Sequence, residues 1–105
     1  MRVLVTGASG SLGSAVVDAL FLESNTIDCI VRSLDYSNSK CKNIIYADLA
    51  CRNSIDSIIL PEVHYDAFIH IAGFNPVTPF QDITYDILLS MFHIYQYAPV
   101  HILRK

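Results

Sequence analysis

The chain has 105 residues, which suffices for one small domain built around a single hydrophobic core. Its formal net charge of −3 excludes the broad basic surface that attracts nucleic acid or an anionic membrane. Hydrophobic residues make up 52% of the sequence, more than so small a domain needs, and this excess predicts a homo-oligomer or packing against further sequence.

The first half of the chain alternates apolar runs with one helical pattern. Val3–Val5 is a β-branched run typical of a strand that is buried on both faces. Apolar residues at helical spacing predict a helix over Leu12–Leu22, and a second apolar run predicts a strand over Ile27–Val31. The stretch Asp35–Lys42 is polar and rich in serine and asparagine, which predicts a loop.

The second half continues this alternation. Asn43–Ala47 predicts a third strand, and a helix is predicted from Asn53 to the next proline, which stops it. Asp66–Ala72 predicts a fourth strand, followed by a turn over Gly73–Pro76. Thr84 is the predicted cap of a last helix.

The order of these elements indicates the fold class. Strands buried on both faces that alternate with helices are typical of a parallel sheet with right-handed crossovers. The sequence contains no internal repeat and no linker that would divide it. We therefore predict an α/β fold with a doubly wound parallel sheet of the Rossmann type, in which residues 1–105 form one partial domain of about four strands.

A glycine-rich turn joins the first strand to the first helix. Its sequence, Thr6–Gly13, is TGASGSLG, in which three glycines are spaced three residues apart. Such a turn lets the backbone approach a pyrophosphate, while the N–H groups and dipole of the helix attract its negative charge. Ser9 and Ser11 lie in the same turn, where they could reach phosphate oxygens or serve only the turn conformation.

The wording of this turn and of later segments resembles the short-chain dehydrogenase/reductase family. Thr6–Gly13 matches the family's T-G-x-x-G-x-x-G turn, and Asp48–Leu49 follows the third strand, where the family uses an aspartate to hold the adenine edge. HIAG, His70–Gly73, matches the H-x-A-G end of the fourth strand. Pro79–Thr84 (PFQDIT) and Tyr97–Lys105 (YAPVHILRK) resemble the family's next helix. The resemblance covers the whole chain but only the N-terminal part of the family's length.

The resemblance implies an NAD(P)-binding site formed by four separate segments of the chain. The implied cofactor-binding residues are Gly7, Ser9, Gly10, Ser11, Leu12, Gly13, Arg32, Ser33, Asp48, Leu49, Ala72 and Gly73.

The end of the second strand predicts which nicotinamide cofactor is bound. NAD sites generally place a carboxylate there to bind the ribose hydroxyls, whereas this chain has Val31, Arg32 and Ser33. Without a carboxylate to repel a 2′-phosphate, and with a guanidinium able to bind one, NADP is favoured over NAD, which remains possible. The alternative is that Arg32 is an ordinary solvated cation at the end of a strand.

The family's proton relay lies outside this chain. The resemblance implies a Tyr-x-x-x-Lys pair, with an upstream serine, beyond the last helix; the lysine lowers the tyrosine pKa so that the phenol exchanges a proton. The chain contains YSNSK, Tyr36–Lys40, but in the loop on the adenine side, and we interpret it as a coincidence. Tyr95 stands where the family normally has a supporting asparagine. We therefore assign no catalytic residue.

Other functional classes are not favoured. The four histidines lack a paired spacing such as H-x-x-x-H, so no metal site is predicted. Three cysteines without a C-x-x-C pair favour free thiols and a cytoplasmic location, with Cys29 as a small core residue. The uncharged run Ile87–Leu103 is shorter than the roughly 20 residues that span a bilayer, so we expect no membrane contact.

Two functions follow from this sequence. The first is the N-terminal cofactor-binding part of an NADP-dependent reductase that acts on the carbonyl or alcohol group of a small molecule, with the substrate-side residues beyond Lys105. The second is a non-catalytic module that binds a dinucleotide or packs against a partner. The glycine pattern also suits the epimerase-like branch of the family, but the segment Pro79–Thr84 favours the reductase branch.

Overall fold

The elements of the chain follow the predicted order in a computed structural model, which describes residues 1–73 and 79–104. The strands and helices are β1 (Arg2–Thr6), α1 (Ser11–Leu22), β2 (Thr26–Val31), β3 (Asn43–Tyr46), α2 (Arg52–Asp56), β4 (Ala67–His70), a 3-10 turn (Phe80–Asp82), α3 (Tyr85–Phe92), a π-helical turn (His93–Tyr97) and α4 (Ala98–Leu103).

The four strands form one parallel sheet in the order β3-β2-β1-β4. The chain builds outward from β1 to β2 and β3 on one side, then crosses to place β4 on the other side of β1. This reversal creates a crevice at the carboxyl ends of β1 and β4, where open α/β sheets bind their ligands. The predicted doubly wound Rossmann-type sheet is confirmed.

The sheet is covered on both faces, as the β-branched run in β1 predicts. Val3 and Val5 point to the face that α1 covers through Val17. Leu4 points to the opposite face and belongs to the cluster that includes Ile55 of α2 and residues of α4. Alternate residues of one strand therefore belong to two separate apolar cores, which explains why the strand is uninterruptedly apolar.

Three predicted elements are longer than the observed ones. The third strand, predicted to reach Ala47, ends one residue earlier, at Tyr46. The helix predicted from Asn53 to Pro61 ends at Asp56, because Ser57 turns its hydroxyl back to the Asn53 carbonyl oxygen at 2.7 Å and the chain tightens there. The fourth strand stops at His70, because β1 itself ends at Thr6 and the chain then turns away at Gly7.

The last predicted helix differs from the expectation in its interior. Thr84 caps it, and its hydroxyl accepts a hydrogen bond from the Ile87 N–H at 3.3 Å, as predicted. The helix then contains one π-helical turn between α3 and α4. Positions 74–76 of the predicted turn, and Lys105, lie outside the described residues. Among the residues that the structure does describe, no helix is long and apolar enough to cross a bilayer.

Candidate functional site

A cleft of about 430 Å³ opens at the carboxyl ends of the strands. Seven of the twelve predicted cofactor-binding residues line it: Gly7, Ser9, Arg32, Asp48, Leu49, Ala72 and Gly73. Gly10, Ser11 and Leu12 are exposed at the start of α1, and Gly13 is buried beneath them. Ser33 is exposed after β2, where its hydroxyl accepts from the Asp35 N–H at 3.4 Å.

Gly7 brings the ends of β1 and β4 together. Its φ of +75° lies in the left-handed region, and a Cβ there would be 2.6 Å from the Ala72 nitrogen. Any side chain would therefore push the backbone of residues 71 and 72 away from β1. A glycine is required here by the fold itself.

Gly10 and Gly13 differ in whether the surrounding structure leaves room for a side chain. A Cβ on Gly13 would lie 1.9 Å from the Gly7 carbonyl oxygen, so α1 packs on the turn only without one. A Cβ on Gly10 would meet that same oxygen at 3.7 Å, an ordinary contact, and the Gly10 φ of −80° suits any residue. The described structure therefore gives no steric reason for a glycine at position 10.

The first turn of α1 follows directly on Ser9, which lines the cleft. Ser14 makes the first helical hydrogen bond, its N–H donating to the Gly10 carbonyl at 2.8 Å. The N–H groups of the preceding helical residues have no helical acceptor, and Gly10 has no side chain to cap them. No acidic side chain occupies this turn, so the positive end of the helix dipole is not neutralised there. Such an end favours an anion.

Hydrogen bonds of a threonine and a histidine connect β1 to β4 beneath the cleft. The Thr6 hydroxyl oxygen accepts from the N–H groups of Ile71 and Ala72 at 3.1 and 3.2 Å. Its own hydrogen points to His70 Nδ1, at 2.8 Å. His70 Nε2 is 2.8 Å from the carbonyl oxygen of Ile94, which only accepts, so Nε2 carries the ring hydrogen and Nδ1 accepts from Thr6.

The π-helical turn supplies the carbonyl that His70 uses. The Ala98 N–H, which would serve Ile94 in an α-helix, donates instead to His93, five residues back. Pro99 has no N–H to offer. The Ile94 carbonyl is therefore left without a helical donor and turns to the histidine. His93 Nδ1 anchors the same turn by donating to the Ala50 carbonyl at 3.1 Å.

Asp48 is held in position at the end of β3. Its backbone N–H donates to the Ser54 hydroxyl at 2.8 Å, and its Oδ1 accepts from the Ala50 N–H at 3.0 Å. These bonds fix a half-buried carboxylate on the wall of the cleft. The carboxylate can accept a hydrogen bond from an amino group such as the one on an adenine edge.

Arg32 lies exposed on the same wall, at the end of β2. Within residues 1–73 and 79–104, no hydrogen bond or ion pair holds its guanidinium. Arg2 and Arg52, in contrast, pair with Asp28 and Asp56. The Arg32 charge is therefore available to an anionic group in the cleft.

Tyr95 closes one corner of the site. Its ring carbon Cε1 and its hydroxyl oxygen would both lie 2.7 Å from a Cβ on Gly73. The tyrosine ring therefore packs directly on the Gly73 backbone, which lines the cleft. The bulk of a phenol, in place of the smaller asparagine that the family resemblance implies, is accommodated because position 73 has no side chain.

The YSNSK segment does not assemble into a tyrosine–lysine pair. Lys40 Nζ lies 2.6 Å from Asp18 Oδ1, and the Tyr36 hydroxyl accepts from the Asn38 side chain at 3.0 Å. Burial raises the pKa of Tyr36, the opposite of what a proton relay requires. Neither Tyr36 nor Lys40 lines the cleft, which is consistent with a coincidental match.

Six lining residues were not among the predicted cofactor-binding residues: Ile30, Val31, Ala47, Ala50, Ser90 and Ile94. Four of them lie in or shortly after β2 and β3, and two, Ser90 of α3 and Ile94 of the π-helical turn, come from the last helical segment. Their spacing of four residues places them on one helix face, and this spacing was the available signal. Across the described ranges, no group of histidine, cysteine or acidic side chains is arranged to hold a metal ion.

Comparison with known proteins gives consistent matches. The model of the NAD dependent epimerase/dehydratase family matches residues 3–86. Uronate dehydrogenase of Agrobacterium fabrum is 27% identical over 100 residues, which is 95% of this chain and 37% of that protein. The chain thus spans well under half the length of this relative.

Two solved structures illustrate the structural likeness. A short chain dehydrogenase family protein from Francisella tularensis superposes with a TM-score of 0.83 at 24% identity, covering 98% of this chain and 43% of that one. A short chain dehydrogenase from Leptospira borgpetersenii, solved with bound NAD⁺, gives a TM-score of 0.76 at 24% identity with the same two coverages. At this level of identity, the likeness shows the fold.

Proposed function

Because this chain belongs to the NAD dependent epimerase/dehydratase family, we propose that it is the dinucleotide-binding part of an oxidoreductase acting on the carbonyl or alcohol group of a small molecule. The resemblance to short-chain dehydrogenases/reductases is confirmed by this match and by the structural neighbours. The observation that carries the proposal is Gly10: no close contact within residues 1–73 and 79–104 requires a glycine there, and it directly precedes the open amides of α1.

Different residues of the cleft would bind different parts of the cofactor. The N–H groups of Ser11 and Leu12 would hold the diphosphate, and the glycine turn would let it approach. Asp48 would accept from the adenine amino group, and Gly73 would border the nicotinamide end. When bound, the nicotinamide supplies hydride transfer; the chain's own residues bind it and orient it.

We further propose that the cofactor is NADP. The support is the exposed Arg32 guanidinium at the end of β2, where an NAD site would have a carboxylate; among the described residues it has no hydrogen bond or ion pair. A guanidinium binds a phosphate in a charge-assisted, bidentate manner. Because NAD⁺ is the ligand of the Leptospira structure, both cofactors belong in the test.

Calorimetric titration of the chain and its variants with NADPH and NADH tests this assignment. We expect tighter binding of NADPH, and we expect Arg32→Ala to weaken NADPH about tenfold, the cost of roughly 1.4 kcal/mol of lost phosphate interaction, without affecting NADH. Arg104→Ala is the matched control, since Arg104 is also exposed but does not line the cleft. Equal affinities for the two cofactors, or an unchanged NADPH affinity in Arg32→Ala, would refute the preference.

The second candidate is the epimerase-like branch, which the family match favours because its model is that of the epimerase/dehydratase family. The relative named uronate dehydrogenase makes a sugar acid the first substrate class to examine in a longer protein that includes this chain. Oxidation of a sugar acid with net formation of NAD(P)H would support the dehydrogenase. Interconversion of sugar nucleotides without net cofactor reduction would support the epimerase.

A further inference from the structure

Two of the three cysteines lie together on the α1 side of the sheet. Cys29 is fully buried in β2, and Cys41 is half-buried in the loop that precedes β3. Their Sγ atoms are 2.6 Å apart although the residues are separated by 12 positions in the sequence. Both sulfurs are free thiols in this structure.

Backbone hydrogen bonds fix Cys41 beside β2. The N–H of Lys42 donates to the Ile27 carbonyl of β2 at 2.7 Å, and the Cys41 N–H donates to the Asn38 carbonyl at 3.0 Å. These bonds hold the residue from both sides, so the contact between the sulfurs is built into the connection between β2 and β3. A disulfide length of about 2.05 Å requires only a small further approach of the two sulfurs.

We propose that Cys29 and Cys41 form a reversible intramolecular disulfide on exposure to hydrogen peroxide. Cys41 reacts first, because it is the more accessible of the two. Its thiol loses a proton to solvent and the thiolate attacks one peroxide oxygen; the O–O bond breaks, and the released hydroxide takes up a proton and leaves as the first water, giving a sulfenic acid. The Cys29 sulfur then attacks the Cys41 sulfur, the S–O bond breaks, and the second water carries away the Cys29 proton. Two thiols lose two electrons, and peroxide is reduced to two waters.

The buried position of Cys29 suits the role of resolving thiol. Burial and the neighbouring Cys41 raise the pKa of Cys29, so this thiol stays protonated and does not itself react with an oxidant in solution. It reacts only when an oxidised sulfur is presented at contact distance. Cys51 is exposed and serves as an internal reference for unselective oxidation.

Thiol counting and peptide mapping of the 105-residue chain test the proposal. After treatment with hydrogen peroxide, the number of alkylatable thiols should fall from three to one, with a peptide that joins Cys29 to Cys41; dithiothreitol should restore all three. Three remaining thiols, oxidation of Cys51 alone, or sulfinic acid at Cys41 without a cross-link would each overturn the proposal.

Two variants distinguish disulfide formation between Cys29 and Cys41 from unselective oxidation of the thiols. Cys51→Ser should still lose both remaining thiols at the original rate, whereas Cys41→Ser should keep the Cys29 thiol. Because Cys41 is half-buried in a loop, its serine variant is expected to fold, which far-ultraviolet circular dichroism checks. If Cys29 is oxidised in Cys41→Ser as fast as in the unmodified chain, no pair exists.

Discussion

At the scale of single residues, two glycines of one turn serve different purposes. Gly13→Ala should cost about 1–3 kcal/mol of unfolding free energy, because its Cβ would collide with the Gly7 carbonyl oxygen. Gly10→Ala should cost at most about 1 kcal/mol, since its Cβ meets only an ordinary contact. Urea unfolding measures both. Equal losses in the two variants would contradict this distinction.

For NADPH binding, in contrast to stability, we expect a large effect from Gly10→Ala. On the proposed function, the methyl added in Gly10→Ala would obstruct the approach of the diphosphate, so NADPH affinity should fall about tenfold or more, equivalent to roughly 1.4 kcal/mol. Calorimetric titration measures the effect on a variant that remains folded. Ala15→Gly, an exposed change later in α1, is the control for altered helix stability. An unchanged NADPH affinity in Gly10→Ala would remove the main support for a diphosphate site at the glycine turn.

A buried carboxylate stabilises the opposite end of the sheet. Asp28 accepts from Arg2 Nε and Nη2 at 3.1 and 2.9 Å, from the Tyr65 hydroxyl at 2.5 Å and from Asn43 Nδ2 at 3.0 Å. With four donors on a fully buried group, the carboxylate is well satisfied. This cluster ties β1, β2 and β3 together far from the candidate site.

Tyr65 makes this cluster sensitive to alkali. Burial, followed by the Asp28 carboxylate, raises the Tyr65 pKa above its ordinary value near 10. A group whose pKa is higher in the folded state stabilises the fold below the unfolded pKa, and that stabilisation is lost as the pH rises above it. The unfolding free energy should therefore decline above about pH 10, and less steeply in Tyr65→Phe. The exposed Tyr85→Phe should retain the original decline; equal slopes in all three proteins would contradict the assignment.

At the scale of elements, the π-helical turn is coupled to β4 through one histidine. His70→Phe keeps a ring but removes the partners of the Thr6 hydroxyl and the Ile94 carbonyl. Leaving such groups unsatisfied should cost about 1–3 kcal/mol of unfolding free energy. His64→Phe is the control and should have little effect, because His64 is exposed and only its long, solvated contact with Asp66 would be lost. If His70→Phe has the same unfolding free energy in urea as the unmodified chain, these hydrogen bonds contribute nothing to stability.

The sequence predicts the strands and helices well, but it does not predict the irregular backbone between them, such as the π-helical turn. Periodicity and β-branching place all four strands and the cap at Thr84, because these depend on local pattern. The π-helical turn depends on which carbonyls lose their donors and on a histidine arriving from β4, a tertiary condition that no local pattern contains. For the same reason, the shared roles of Ser90 and Ile94 in the cleft become visible only in three dimensions.

At the scale of the whole molecule, an apolar stripe suggests self-association. Tyr85, Leu88 and Phe92 are exposed by 74%, 56% and 46% and follow helical spacing along one face of α3. β4 also lies at an edge of the sheet. We propose that a second copy of the chain covers this stripe.

Sedimentation velocity tests the association. The chain should sediment as a dimer or larger species at micromolar concentration, and Leu88→Asp should shift it toward the monomer because a charge would enter the apolar contact. Leu34→Asp, which alters an exposed leucine far along the chain from the stripe, should leave the distribution unchanged. A stable monomer at high protein concentration would contradict the proposed dimer.

The glycine turn and the open amides of α1 form the centre of this account, and amide chemical shifts in ¹H–¹⁵N spectra report on them one residue at a time. On titration with NADPH, the largest shift changes should occur at Ser11 and Leu12, with further changes at Arg32 and Asp48 along the cleft. If these amides stay unmoved at saturating NADPH, or if the changes cluster on residues outside the cleft, the chain does not bind a dinucleotide through this turn.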